Sequence, residues 1–174
     1  MRADGSVSRR HLLVHVVDGS GRALPARGLA QWLERLAPGR AAGTLTIAIV
    51  SDQASRVLNR SYRGVDRVTD VLSFAAGPAP SHPRTAQPRT AHLRTAHPRT
   101  HLGDVVIARG VARRQARSAG HAETTEWRVL ALHGLLHLMG YDHEQDAGRM
   151  ERMERRLRHA GGLDTGLIER ESRR

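Results

Sequence analysis

The chain of 174 residues contains 39% hydrophobic and 26% charged residues, which suits one globular domain with its own core. It has no cysteine, which excludes disulfides, thiolate zinc sites and a cysteine nucleophile. All 28 basic residues are arginine, and with 17 acidic residues they give a net charge of +11. This excess favours a polyanionic partner such as nucleic acid. The aromatic fraction of 3% argues against RNA binding by a base-stacking sheet.

Hydrophobic periodicity and turn residues predict four strands and five helices. In chain order they are a strand at Leu12–Val17, a helix opened by Pro25, a strand at Thr44–Val50, a helix capped by Asp52 and ended by Gly64, strands at Val71–Phe74 and Asp104–Ile107, and helices at about 111–118, 123–139 and 146–160. The irregular alternation predicts a single α+β domain over residues 1–174. We expect a small mixed sheet of about four strands with about five helices packed against it, and the helix at about 123–139 at the centre.

A five-residue repeat separates the third and fourth predicted strands. Residues 82–100 read HPRTA, QPRTA, HLRTA and HPRT, and their four arginines contribute +4 to the net charge. These units leave little to bury, so we expect a disordered insertion at about 78–101, and a flexible tail at about 162–174. The insertion is either a basic arm that touches RNA or, the interpretation we favour, a repeat expansion without an essential role.

The apolar segments are too short for a membrane protein. None approaches the ~18 residues of a transmembrane helix. The run at 11–17 follows Arg9 and Arg10, but it contains two histidines and ends at Asp18, so it is typical of a strand rather than a signal peptide. We therefore expect a cytoplasmic protein.

The clearest chemical motif lies between His133 and His143. His133 and His137 are four residues apart in a predicted helix, so both imidazoles can face one metal ion. Gly140 can adopt the left-handed conformation that ends a helix, which allows His143 to return to the same ion. Three histidines with a fourth position open to water are typical of catalytic zinc, which lowers the pKa of bound water to about 7.

The same histidine spacing occurs in zinc peptidases with the signature H-E-x-x-H-x-x-G-x-x-H. Their general base is the glutamate directly after the first histidine, and this chain has Gly134 there. Glycine cannot accept a proton from water. The sequence therefore disfavours peptide hydrolysis by that mechanism.

The run HGLLHLMGYDH resembles the metal motif of the YbeY family, bacterial endoribonucleases of 16S ribosomal RNA 3′-end maturation and ribosome quality control. Three further stretches match this family in the same order: Leu58–Gly64, Thr69–Phe74 and Leu102–Ile107. The resemblance covers about residues 12–160. It implies ribosomal RNA and the ribosome as partners, with ribosomal proteins as further contacts.

The resemblance also implies a set of site residues. One zinc ion is expected on His133, His137 and His143, which would then be both metal ligands and catalytic residues. A functional arginine in a basic cleft is expected at Arg63. A guanidinium can hold a phosphodiester through two hydrogen bonds and offset the charge that develops during cleavage. The alternative is an ordinary surface arginine.

Four other carboxylates are weaker candidates. Asp70 and Asp104 lie at strand edges and can orient a ligand histidine through its second nitrogen, although turn capping is the favoured interpretation. Asp142 and Glu144 flank His143 and can act as bases, although turn carboxylates are the simpler interpretation.

The last predicted helix carries no expected chemistry. Met150, Met153 and Leu157 form an apolar stripe, whereas Glu151–Arg155 and Glu154–Arg158 have the spacing of ion pairs on a solvated face.

The sequence supports one leading function and two alternatives. The leading hypothesis is a zinc-dependent, single-strand-specific endoribonuclease that acts on ribosomal RNA. The first alternative is a ribosome-associated RNA-binding or protein-binding factor whose metal only stabilises the fold. The second alternative, a metallopeptidase-like hydrolase, lacks a general base in the expected position.

Overall fold

The computed structural model describes residues 11–26, 28–76, 100–143 and 145–163. These residues form four strands and five helices, in agreement with the predicted α+β fold. The elements are β1 Leu12–Asp18, α1 Leu29–Leu36, β2 Gly43–Val50, α2 Asp52–Arg63, β3 Val71–Ala75, β4 His101–Ala108, α3 Arg109–Ala119, α4 Glu123–Leu138 and α5 Arg149–Ala160.

The four strands form one mixed sheet in the order β1-β2-β4-β3. Strand β2 pairs in parallel with β1 and with β4, whereas β3 pairs antiparallel with β4 and lies at the edge. Parallel neighbours need a crossover connection, and α1 provides it between β1 and β2. Strand β3 therefore has one strand neighbour, β4, in this sheet.

The two faces of the sheet are covered by different helices. The larger core lies between one face and helices α1, α4 and α5, and its sheet residues include Val14, Leu45, Ile47 and Val105. A smaller core lies on the opposite face, under α2: Val17, Ala48, Val50, Leu58, Leu72 and Val106. Because strand side chains alternate between faces, neighbouring residues of β3 point to opposite sides.

Helix α4 occupies the centre of the larger core. It packs against β3, β4 and helices α1, α3 and α5, and all residues from Val129 to Leu136 are buried. A helix that is apolar on every side belongs in the interior of a domain. The helix with the histidine motif is thus central, as predicted. None of the helices in the described part of the chain is long and apolar enough to cross a membrane.

The starts of helices α1 and α2 differ from the predictions. Helix α1 begins at Leu29 rather than at Pro25, because Gly28 adopts a φ of 80° at the N-cap. Helix α2 is capped by Ser51, whose Oγ accepts a hydrogen bond from the Ala54 amide. Asp52 is the first residue of the helix and does not cap it.

The Asp52 carboxylate instead contacts the first turn of α3. It accepts a hydrogen bond of 3.1 Å from the Val111 amide and one of 2.9 Å from Arg114. Helix α3 receives no side-chain hydrogen bond from its own N-cap residue, Ala108. An aspartate from a distant helix therefore satisfies one amide that the start of α3 leaves unpaired.

Helix α5 begins at Arg149, three residues after the predicted start at Asp146. The Asp146 carboxylate accepts a hydrogen bond from the Met150 amide, so it stabilises the first turn from outside the helix.

Most of the predicted insertion and tail lies outside the described residues. Of the segment at 78–101, Thr100 and His101 are described, and His101 is the first residue of β4. Of the segment at 162–174, Gly162 and Leu163 are described, and Leu163 is 3% exposed in the larger core.

Candidate metal centre

The end of α4 and the turn after it bring the histidine motif together. His133 and His137 occupy consecutive turns of α4, which ends at Leu138. Gly140 has a φ of 82°, and the Tyr141 amide donates to the Leu136 carbonyl. This is the left-handed helix termination predicted for Gly140. It reverses the chain and returns His143 to the face of α4 that carries the other two histidines.

The three imidazole rings converge on one point. One ring nitrogen from each of His133, His137 and His143 lies within 4.8 Å of the other two. The Nε2 atoms of His133 and His137 are 3.0 Å apart, and the His143 ring centroid is 5.5 and 5.4 Å from theirs. The structure therefore assembles the donor set expected from the sequence.

The remaining ring nitrogens of two histidines already have hydrogen-bond acceptors. His137 Nδ1 lies 3.1 Å from the Tyr141 carbonyl oxygen, and His133 Nδ1 lies 3.2 Å from Glu154 Oε1. A carbonyl and a carboxylate accept hydrogen bonds, so each Nδ1 carries the proton and each Nε2 offers its lone pair. The two Nε2 atoms lie 3.0 Å from each other, in the cluster that His143 completes. Neutral imidazoles with converging lone pairs fit a divalent transition metal such as zinc.

The surroundings of His137 favour its neutral form. Burial, followed by the charges of His133 and His143, lowers the pKa of His137 from 6.5 to about 4, although its hydrogen bond to Tyr141 acts in the opposite direction. The side chain is consequently unprotonated near neutral pH. An unprotonated imidazole is the form that binds a metal ion.

Gly134, between the first two histidines, faces the sheet. Its carbonyl accepts a hydrogen bond of 3.3 Å from Ser73 Oγ on β3, and a Cβ atom at this position would lie 2.7 Å from Val105 Cγ1. A glutamate would therefore collide with β4. The place of the peptidase base is closed by packing, which agrees with the argument from the sequence.

Asp70 and Asp104 do not hydrogen-bond to the converging histidines. Asp70 accepts from the Val71 amide and from Gln115, while Asp104 pairs with His101. These contacts agree with the favoured structural interpretation of both residues.

Of the two carboxylates that flank His143, Asp142 acts on the site through its charge, which opposes the lowering of the His137 pKa. The Asp142 carbonyl accepts hydrogen bonds from the amides of Gln145 and Asp146 in the turn. Glu144 lies outside the described residues.

Arg63 is not part of the histidine cluster. It is the last residue of α2, and its neighbour Tyr62 packs its ring 4.8 Å from that of Phe74 on β3. Ser73 faces α4 on the other side of the same strand. Arg63 and the histidines therefore lie on opposite faces of the sheet at edge strand β3. In the described ranges, no hydrogen bond or ion pair joins Arg63 to His133, His137 or His143.

Glu154 is the site residue that the sequence analysis missed. The pair Glu154–Arg158 was predicted on a solvated face, which is wrong: the two residues are 2% and 3% exposed. The error has an identifiable cause. Glu154 lies four residues after Met150 and three before Leu157, so it shares the apolar stripe of α5. The spacing from Met150 and Leu157 indicates burial of Glu154, whereas the four-residue spacing to Arg158 suggested an exposed ion pair.

A family model described as Endoribonuclease YbeY matches residues 26–161. The chain belongs to the YbeY family. Two curated relatives with the name Endoribonuclease YbeY illustrate the match. The protein of Solibacter usitatus is 44% identical over 122 residues, which is 70% of this chain and 69% of the relative. The protein of Halorhodospira halophila is 40% identical over 160 residues, which is 90% of this chain and 94% of the relative.

A solved structure agrees with the fold. The solution structure of TM1509 from Thermotoga maritima has a TM-score of 0.51 and 22% sequence identity, and the match covers 83% of this chain and 86% of that chain. At 22% sequence identity, this comparison supports the fold and not a function. The YbeY resemblance inferred from the motifs is confirmed, and the match of the YbeY model includes Arg63 and all three histidines.

Proposed function

We propose that the protein is a zinc-dependent, single-strand-specific endoribonuclease that acts in 16S ribosomal RNA 3′-end maturation and ribosome quality control. One observation carries the proposal: the ring nitrogens of His133, His137 and His143 converge within 4.8 Å. Membership of the YbeY family, whose curated members bear the name endoribonuclease, supports the same activity. The substrate is then ribosomal RNA, and the partners are the cytoplasmic ribosome and its proteins.

The three histidines are the proposed ligands and catalytic residues. Zinc bound to them supplies a Lewis acid for the phosphodiester and makes a coordinated water more acidic. The chain itself provides the orientation, because Tyr141 and Glu154 direct two of the three imidazoles inward. Among the described residues the group consists of three histidines, and a zinc ion held by three protein ligands keeps a coordination position for substrate or water.

Arg63 is the proposed phosphate-binding residue. It is exposed at the end of α2, on the far side of edge strand β3 from the histidines. An RNA strand that crosses this edge can contact both sides. A guanidinium offers two parallel hydrogen bonds to one phosphodiester, and it stays charged at every physiological pH.

A cleavage assay with matched histidine variants tests the proposal. The substrate is an end-labelled 16S ribosomal RNA 3′-precursor, and the proteins are the wild type, His137→Ala and His159→Ala. His159 is an exposed histidine near the end of α5, so it controls for loss of an imidazole elsewhere. Cleavage by the wild type and His159→Ala, but not by a folded His137→Ala, supports the endoribonuclease. Equal cleavage by all three proteins, or by none, contradicts it.

One observation favours the alternative of a binding factor with a structural metal. The hydrogen bond between His133 and Glu154 ties α4 to α5, so an ion on His133 would brace two helices of the core. If His137→Ala unfolds globally by circular dichroism and zinc raises the melting temperature of the wild type, a clamp is favoured. If His137→Ala keeps the wild-type fold and loses only cleavage, a catalytic metal is favoured.

A further inference from the structure

A buried hydrogen bond joins the first histidine of the motif to the last helix. His133 Nδ1 and Glu154 Oε1 are 3.2 Å apart, and the two side chains are 5% and 3% exposed. A carboxylate buried this deeply is unfavourable unless polar groups satisfy it. The contact with His133 is one such polar interaction, and it links α5 to α4 through residues that are 21 positions apart.

The neighbouring glutamate of α5 shows how unusual this arrangement is. Glu151 pairs with Arg155 one turn later, and their side chains are 42% and 49% exposed. Such a surface pair contributes little to stability. Glu154 points the other way, into the core, and meets an imidazole of the candidate metal centre. The two glutamates thus differ in environment although both follow the same helical spacing.

We propose that Glu154 is a positioning residue for His133. By accepting the hydrogen bond from Nδ1–H, it holds the ring in the tautomer and orientation in which Nε2 faces the other histidines. His137 is oriented by a local hydrogen bond instead, because its Nδ1–H donates to the Tyr141 carbonyl in the turn that ends its own helix. His133 depends on another helix. The metal centre is therefore complete only when α5 is docked. This inference rests on the proposed metal site.

Three variants and two readouts test the role of Glu154. Glu154→Leu replaces the hydrogen-bond acceptor by an apolar side chain of similar volume. Glu154→Gln keeps an acceptor oxygen. Glu151→Leu is the matched control on the same helix. The first readout is zinc affinity, measured by competition with a chromophoric chelator. The second is the ¹⁵N chemical shift of His133 in the metal-free protein, which reports which ring nitrogen carries the proton. Circular dichroism monitors the fold.

The expected result is a selective loss in Glu154→Leu. Its zinc affinity falls by about 10–100-fold, as for other residues that orient metal ligands, and His133 becomes a mixture of tautomers. Glu154→Gln retains more affinity than the leucine variant, and Glu151→Leu binds zinc as the wild type does. In the wild type, His133 carries its proton on Nδ1.

Two results would overturn the role of Glu154 while the metal site stands. They are wild-type zinc affinity in a folded Glu154→Leu, and a proton on Nε2 of His133 in the metal-free wild type. The second measurement needs no variant, so it decides even if Glu154→Leu does not fold. A wild-type protein that binds no zinc would overturn both the metal site and this inference. Zinc affinity of the wild type therefore distinguishes failure of the metal site from failure of the Glu154 role alone.

Discussion

Gly134 lies directly against Val105: a Cβ atom on Gly134 would be 2.7 Å from Val105 Cγ1 and 2.8 Å from Cγ2. Real Cβ atoms do not approach other carbons so closely. The missing side chain therefore allows α4 to sit close to β4 between its two metal-facing histidines. The hydrogen bond from Ser73 to the Gly134 carbonyl adds a second link at the same level, to β3.

Gly134→Ala is expected to destabilise the fold. The added methyl group overpacks a closed contact, and such changes cost about 1–3 kcal/mol. The free energy of unfolding in urea, measured on the metal-free protein, checks the effect. Gly39→Ala is the matched control, because a Cβ atom there would have no neighbour within 4 Å. Equal stability of the two variants would show that β4 yields to the methyl group.

Asp52→Ala is expected to weaken the start of α3. The variant loses the hydrogen bond to the Val111 amide and the contact with Arg114. Loss of a capping carboxylate costs about 0.5–2 kcal/mol, to be measured by urea unfolding. Asp66→Ala is the control, because Asp66 forms an exposed pair with Arg56. If Asp66→Ala proves the more harmful, Asp52 is not an important cap of α3.

The metal-free protein is expected to lose stability in mild acid through His137. Its pKa is about 4 in the folded protein and 6.5 without the fold. Between these values the unfolded chain binds a proton that the folded chain does not, so the free energy of unfolding decreases as the pH falls. Above 6.5 the residue is neutral in both states and adds no pH dependence.

Urea unfolding of the wild type and His137→Gln, at neutral pH and midway through this interval, measures that contribution. The variant is expected to lose less stability on acidification. His159→Gln should behave as the wild type, because His159 is exposed. The same acid-induced loss in His137→Gln would assign the effect to other groups.

RNA binding is expected to weaken steeply with salt. Each phosphate neutralised on a single strand contributes a slope of about −0.7 to the plot of log affinity against log salt. Arg63→Ala should make this slope shallower by about one phosphate contact and lower cleavage on the order of 10²-fold. The control is Arg35→Ala, on α1 at the opposite edge of the sheet. A flat salt dependence of the wild type would exclude phosphate contacts as the basis of binding.

Local sequence patterns predicted the elements and the histidine cluster because local rules decide both. Strand alternation and helical periodicity depend on residues a few positions apart. The convergence of His133 and His137 requires only a helix, and the return of His143 requires only a left-handed glycine at 140.

Other features of the site depended on which surfaces pack together. The charge spacing of α5 placed Glu154 in solvent, yet docking of α5 against α4 buried it beside His133. Asp52 has the chemistry of a cap, but the packing of α2 near α3 directed it to another helix.

The location of Arg63 also depended on tertiary structure, in this case on the order of the strands in the sheet. Its position relative to the histidines follows from β3 being the antiparallel edge strand, with α2 on one face and α4 on the other. The sequence by itself determined the local elements, the donor set and the turn that assembles it. The tertiary structure decided which charged groups are buried and which element orients each ligand, because those contacts join residues whose separation along the chain carries no local signal.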